Sequence, residues 1–387
     1  MTLEEELQHH LAGLGAAQRL RSTHPLDGPD RAHPLRSGRP TLAFCSNDYL
    51  GLASHPALAD AASAAAREYG FGAGSSRLIS GESGLHATME RKLAAYTGFA
   101  SSLLFPTGYQ TNIGVITALA GPDDLIVSDA ANHASIIDGC RLTRARIVVH
   151  AHADAEAAAR ALATPGPFKR RLLITESIFS MDGDRAPLRH LAEVARSAGA
   201  LFIVDEAHAL GVAGPQGRGV CSELGVHPTV LIGTLGKAFG SSGGFAACSP
   251  TLRSYLLNTA RTFIFTTASP PPVVAASLAA LELLTSPLGD ALRDAAFQRS
   301  NRLRTRLARA DQPIPGHDLI LPWIIGADAD ALRLSAKLAD AGLVVPAIRP
   351  PTVPEGTARL RITVSASHTE RDLDRLAEKL LDSDNSP

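Results

Sequence analysis

The sequence predicts an α/β fold, and three observations carry that expectation. Short, almost wholly apolar runs recur between residues 101 and 234, alanine-rich helical stretches separate them, and several runs end on a polar residue. The clearest runs are 125–128, 147–149, 172–175, 201–204 and 230–232. Unbroken apolar character, rather than alternation, is expected of strands buried on both faces of a largely parallel sheet. The stretch 188–198 has helical spacing and lies between two such runs, so the repeating unit is strand, helix, strand. The runs close on Asp129, Glu176, Asp205 and Thr234. In open α/β sheets ligands bind beyond the carboxyl ends of the strands, which marks a candidate site before any motif is considered.

The other elements follow in chain order. Leu3, Leu7, Leu11 and Leu14 share one helical face, which reads as a docking helix. Residues 57–67 are alanine-rich and form a helix by propensity. Pro270, Pro271 and Pro272 break the pattern and open an Ala/Leu helix reaching about residue 284. The chain closes on an amphipathic helix, apolar at Leu373, Leu376, Ala377, Leu380 and Leu381, with Ser367 or Thr369 as its cap. The expected division is an N-terminal helix and extension (1–45) packing on a small C-terminal domain (286–387), with a large domain (46–285) between them.

Composition narrows the function. The 387 residues are 45% hydrophobic and 19% charged, enough for a substantial core. With 37 Lys+Arg against 38 Asp+Glu, nothing suggests a nucleic-acid or anionic-membrane surface. The longest apolar stretch, 273–284, is interrupted by Ser277 and Glu282 and falls short of the roughly 20 residues a membrane span needs. The N-terminus carries early acids and no apolar core, so it is not read as a secretory signal. Cys45, Cys140, Cys221 and Cys248 show no metal-binding or paired spacing, which suits free thiols in a reducing, cytoplasmic compartment.

Four short segments carry chemistry. In Thr234-Leu-Gly-Lys-Ala-Phe-Gly-Ser-Ser-Gly243, Lys237 sits among small residues just past a buried strand. Partial desolvation there lowers an amine's pKa and leaves it free to condense with an aldehyde, while Thr234 and the glycines can approach a phosphate. The segment is not a P-loop, because Leu231 stands where the first glycine is required and Ala238 follows the lysine. In Leu201-Phe-Ile-Val-Asp-Glu-Ala-His208, Asp205 and His208 suit either a DEAH-type nucleotide site or the grip on a pyridine ring. The nucleotide reading lacks any Walker A partner. His133, past the strand ending at Asp129, is flat and can stack on a flat cofactor. Pro106-Thr-Gly-Tyr-Gln-Thr-Asn112 is a small-residue turn opening a helix, a ready anion site. Each segment has an ordinary reading alone: a surface lysine, a helix-capping aspartate, a structural histidine, a helix cap. Together they describe a pyridoxal-phosphate pocket.

These residues resemble the fold-type I pyridoxal-phosphate enzymes, specifically the α-oxoamine synthases. The resemblance runs nearly the whole chain, through Ser46-Asn-Asp-Tyr-Leu-Gly-Leu52, Gly72-Ala-Gly-Ser-Ser-Arg-Leu-Ile-Ser-Gly81, Ser177-Ile-Phe-Ser-Met-Asp-Gly183, Val204-Asp-Glu-Ala-His208 and the lysine loop to Gly243. It implies a large domain with a mostly parallel seven-stranded sheet and a smaller α+β C-terminal domain. It also implies that Lys237 carries the cofactor covalently, that Asp205 pairs with the pyridine nitrogen, that His208 meets the ring oxygen and that His133 stacks on the ring. Backbone amides of Gly108 and Tyr109, with Thr234, would hold the phosphate, with Ser180 nearby and Thr266 or Thr267 supplied from a partner subunit of a homodimer. Arg361, Arg21 and Asn47 would bind substrate carboxylates, with Thr352 lining the same place. Tyr49 and His86 lie in matching stretches and receive no role.

Within the family, Arg349-Pro-Pro-Thr-Val-Pro-Glu-Gly-Thr-Ala-Arg-Leu-Arg361 looks most like the branch serving biotin synthesis. That branch condenses L-alanine with a pimeloyl thioester, on coenzyme A or a carrier protein, and releases carbon dioxide. A sister branch using glycine with an acetyl or succinyl thioester, a transaminase on the same scaffold, and the DEAH-box nucleotide enzyme remain as alternatives.

Overall fold

Strand-forming runs and helices alternate through most of the chain, and the computed structural model describes residues 1–308, 314, 316 and 318–384. Seven strands form one sheet: β1 (Ser101–Phe105), β2 (Leu125–Asp129), β3 (Arg146–His150), β4 (Arg171–Glu176), β5 (Leu201–Asp205), β6 (Val230–Thr234) and β7 (Gly244–Cys248). Their order is β1-β7-β6-β5-β4-β2-β3. Neighbours from β6 through β3 run parallel, and β7 alone is antiparallel to both of its neighbours.

The apolar runs mark these strands because both sheet faces are covered. Ile126, Val127, Leu172, Leu173, Ile174, Ile203, Val204, Val230 and Ile232 are completely buried. Each such side chain contributes on the order of 1.5–3 kcal/mol relative to exposure. Most belong to one core that also takes in Ile116, Ile136, Leu256 and Phe263 from the flanking helices. One expectation needs correction: β3 is not buried on both faces. It is the sheet's edge, and Ile147 and Val149 are 37% and 62% exposed. Two strands lie outside the apolar runs singled out by sequence. β1 begins with two serines, and β7 reads Gly-Phe-Ala-Ala-Cys, too small in side chain to signal a strand.

Two compact units divide the chain. The larger comprises residues 47–180 and 184–295 and contains the whole seven-stranded sheet. The smaller comprises residues 1–46, 181–183 and 296–387, and so draws on both ends of the sequence. In it a three-stranded antiparallel sheet (Ile320–Gly326, Ala358–Thr363 and Ala347–Ile348) packs against the amphipathic helix Glu370–Asp384. Leu373, Leu376, Ala377 and Leu380 are fully buried there, and Thr369 caps the helix through its hydroxyl on the Asp372 amide at 3.3 Å. Leu42–Ala43 adds a short parallel strand to Leu343–Val344, joining early and late sequence in one core with Phe44. The helix Leu3–Ala16 forms with a capping box on Thr2 and Glu5, and none of its residues is buried. Asp182 accepts an ion pair from buried Arg359 within this unit.

No single helix among the described residues is long and apolar enough to cross a membrane. All four cysteines are free; Cys45 is half-buried and the other three are buried.

Candidate active site

The parallel strands deliver their polar last residues to one edge of the sheet. Asp205 ends β5 directly opposite Glu176 at the end of β4, and Asp129 ends β2 on the far side of β4. A chain leaving a buried strand must turn, and its last residue is the first free of apolar packing on both faces. Asp205 is 5% exposed and firmly fixed. Its Oδ2 accepts from Asn112 Nδ2 at 2.7 Å, and its Oδ1 accepts from the Ala207 amide at 2.8 Å. Asn112 also donates to Ser135 Oγ at 3.0 Å, tying Asp205 to the segment that carries His133.

Lys237 follows β6 in the tight loop closed by β7. Its Nζ is 2.7 Å from His208 Nε2, and His208 Nδ1 is 2.6 Å from Tyr49 Oη. Tyr49 in turn donates to Asn47 Oδ1 at 3.3 Å. With the phenol proton on Asn47, the imidazole donates from Nδ1 and leaves the Nε2 lone pair facing the lysine amine. This chain is buried at Tyr49 (1% exposed) and His208 (6%), while Lys237 is half-buried. The arrangement can pass a proton to and from a primary amine.

His133 caps the helix Ala134–Leu142, with Ser135 N donating to its Nδ1 at 3.2 Å. Its backbone N–H donates to Glu176 Oε1 at 2.6 Å. Desolvation lowers the His133 imidazole below its usual range; Asp205 opposes that shift and Lys237 adds to it. The ring therefore carries little charge near neutrality, as suits a flat stacking surface.

An anion cradle lies at the start of the helix Gly108–Leu119. Thr107 caps it, its hydroxyl accepting from the Gln110 amide at 3.1 Å. Helix geometry leaves the N–H groups of Gly108 and Tyr109 without intrahelical acceptors. The cradle needs bare backbone. A Cβ on Gly244 would collide with Thr111 Oγ1 and, at 2.6 Å, with the Gly108 nitrogen. Thr234 Oγ1 donates to the Gly243 carbonyl at 3.0 Å and accepts from the Gly236 amide at 3.2 Å. Tyr109 is 45% exposed, and its phenol donates to Asp138. Thr266 Oγ1 accepts from Gln110 Nε2 at 3.2 Å, on the same helix start. Ser180 is buried in the same unit.

A phosphate-bearing pyridine fits this donor set. It requires an amine, a fixed buried carboxylate and a bare-backbone anion cradle, and all three occur in one unit. The Asn112 Oδ1 beside Asp205 is also buried, with no hydrogen-bond partner among the described residues, a polar atom left for a guest. Sequence reasoning assigned Asn112, Ser135 and Tyr49 no role. Tyr49 and Asn112 fall inside quoted motifs, but only the folded chain brings them to His208 and Asp205.

The remaining expected residues belong to the smaller unit. Arg361 is 6% exposed on the strand Ala358–Thr363, and its Nη1 donates to Thr363 Oγ1 at 3.0 Å. It is therefore a buried arginine, not a surface one. Thr352 and Arg21 are exposed, and the Thr352 amide donates to the Arg349 carbonyl at 3.1 Å.

Comparison with known proteins places the chain in a family. The profile of the family "Aminotransferase class I and II" matches residues 39–380. An 8-amino-7-oxononanoate synthase of Trichlorobacter lovleyi is 49% identical over 335 residues, covering 86% of this chain and 86% of that protein. A structure of SPT with PLP superposes with a TM-score of 0.92 at 27% identity, covering 99% of this chain and 98% of the other. An 8-amino-7-oxononanoate synthase from Francisella tularensis gives a TM-score of 0.76 at 26% identity, over 89% and 97% of the two chains.

Proposed function

Because the chain belongs to the class I and II aminotransferase family, among its 8-amino-7-oxononanoate synthases, we propose that it condenses L-alanine with a pimeloyl thioester. The thiol and carbon dioxide leave, and 8-amino-7-oxononanoate, an intermediate of biotin synthesis, is formed. One observation carries the catalytic reading: a lysine amine 2.7 Å from an imidazole, in the unit that also holds a buried, doubly fixed aspartate. The choice of alanine and pimeloyl thioester rests on relatives such as that of T. lovleyi.

The cofactor is pyridoxal phosphate. Bound to an amine and protonated at its ring nitrogen, it supplies an acceptor for the electron pair left when a proton leaves an amino acid α-carbon. The chain's residues do the rest. Lys237 would hold the cofactor through its amine, and that amine, when free, can take and return a proton at the alanine α-carbon. His208 accepts from the Lys237 amine on Nε2, held in that tautomer by Tyr49, and protonation of that nitrogen would turn it into a donor toward the ring oxygen region. Asp205 would face the ring nitrogen, and Asn112 and the Ala207 amide aim its two oxygens. His133 offers a flat, largely neutral face. Gly108 and Tyr109 amides would hold phosphate together with Thr234, with Ser180, buried in the same unit, as a further candidate. Arg361, Arg21 and Thr352 of the smaller unit, and Asn47 of the larger one, are each assigned to substrate carboxylates, a task for which the guanidinium fork of Arg361 is apt. Thr266 or Thr267 of a second copy completes the phosphate site in a homodimer, and free thiols suit a cytoplasmic setting.

The deciding assay follows thiol and carbon dioxide release with L-alanine plus pimeloyl-CoA or pimeloyl-carrier protein, beside glycine plus acetyl- or succinyl-CoA. Release with alanine and the pimeloyl thioester alone is the expected result. Release only with glycine would overturn the substrate assignment while retaining the cofactor and Lys237.

A further inference from the structure

Glu176 is a buried carboxyl that the mechanism above leaves without work. It is 2% exposed and stands in register opposite Asp205 on the adjacent strand, where paired residues of a sheet share a face. Two neighbouring buried carboxyls cannot both ionise cheaply. The donors decide which one does. Asp205 receives a side-chain amide and a backbone amide, one on each oxygen, whereas the Glu176 carboxyl receives the His133 backbone N–H on Oε1 at 2.6 Å.

We infer that Glu176 is a positioning residue held as the neutral acid, anchoring the His133 backbone beside Asp205. Burial and then the Asp205 charge push the Glu176 carboxyl up to about 8, with Lys237 and the His133 amide opposing. The other charged neighbour is Asp129, beyond β4's opposite edge, whose carboxylate is engaged by His152. Neutral Glu176 spares the ring-nitrogen partner a like charge. This rests on the proposed role of Asp205.

The test uses the full-length chain, loaded with pyridoxal phosphate and stripped of it, as wild type, Glu176→Gln and Glu176→Ala. Glutamine keeps the size and the acceptor and cannot ionise. It should hold cofactor affinity and turnover at pH 7 within about threefold of wild type, because a neutral hydrogen-bonded group replaces its like. An acid protonated only when folded loses stability as pH rises above its unfolded value. The stripped wild type should therefore lose on the order of 5 °C of melting temperature relative to Glu176→Gln between pH 5 and pH 8. Glu176→Ala, with the His133 amide stranded, should weaken cofactor binding at least about tenfold, read by absorbance titration. Parallel melting curves for wild type and Glu176→Gln, or a glutamine variant as damaged as alanine, would overturn the inference. Failure of the wild type to bind pyridoxal phosphate would instead remove the Asp205 role, and the stripped-chain melts would still decide whether Glu176 holds its proton.

Discussion

The Lys237 amine and the His208 imidazole share a hydrogen bond of 2.7 Å, and His208 is in turn anchored by Tyr49 at 2.6 Å. The lysine's nucleophilic nitrogen is thus aimed by a buried tyrosine far from it in sequence. Lys237→Ala should abolish both turnover and the absorbance of lysine-bound cofactor, because no second amine stands in its position. Wild-type turnover by that variant would refute the assignment.

Tyr49→Phe removes the group that fixes the His208 tautomer and leaves packing nearly intact. Losing one such bond costs about 1–1.5 kcal/mol, so kcat should fall roughly tenfold. The pH profile of kcat should shift along with it, whereas a purely structural role would lower melting temperature and leave the profile in place.

Asn112→Ala strands Asp205 Oδ2. A bond to a charged group is worth about 1.5–3 kcal/mol, so cofactor affinity should drop about 10–100-fold. Absorbance titration of the stripped protein measures this directly. Asn112→Ser, too short to reach, should resemble alanine.

His368 makes the small unit sensitive to acid. It stacks on Phe44 with ring centroids 4.3 Å apart, donates from Nε2 to the Ala43 carbonyl at 3.1 Å, and accepts from the Ser365 amide on Nδ1 at 3.0 Å. Burial lowers its pKa to about 4. The unfolded chain takes up the proton near 6.5 and the folded one does not, so stability is intact above pH 6.5 and declines as pH falls toward 4. The loss attributable to this residue is about 3 kcal/mol. Denaturant melts of wild type and His368→Gln at pH 7 and pH 4.5 should show the wild type losing more between the two.

His152 works in the opposite direction. It bridges Asp129 Oδ1 at 2.9 Å and Asp184 Oδ2 at 2.8 Å, and these two bonds raise its pKa to about 10 against the effect of burial. Its contribution is complete below pH 6.5 and fades as pH climbs through about 10. With a third of the side chain open to water, about 1–2 kcal/mol is the appropriate scale. His152→Ala should cost stability at pH 6 and little at pH 10.5, as read from chemical denaturation.

The sequence exposed the sheet where burial on both faces wrote unbroken apolar runs, as in β4 and β5, and it exposed the site where those runs stopped at Asp205 and Glu176. It misread β3 because apolar residues on an edge strand look the same as those within. It passed over β7 because glycine and alanine carry no strand signal, though the bareness of Gly244 is what lets the Gly108 backbone come close. Asn112 and Tyr49 were legible as members of motifs and not as partners. Their hydrogen bonds cross 93 and 159 residues of sequence, and such distances are closed only by the fold.

The pairing of Leu42 with Leu343 sets an order of events at the ribosome. The larger unit has all its strands once Cys248 has emerged, so it can complete its sheet while synthesis continues. Leu42 and Phe44, made early, must wait for a strand translated near the end, on the order of 15–60 s later at ordinary elongation rates. Throughout that interval the nascent chain trails an apolar segment with nowhere to pack. A message truncated before codon 343 would yield a protein with a finished cofactor-binding sheet and a leading strand that never finds its partner.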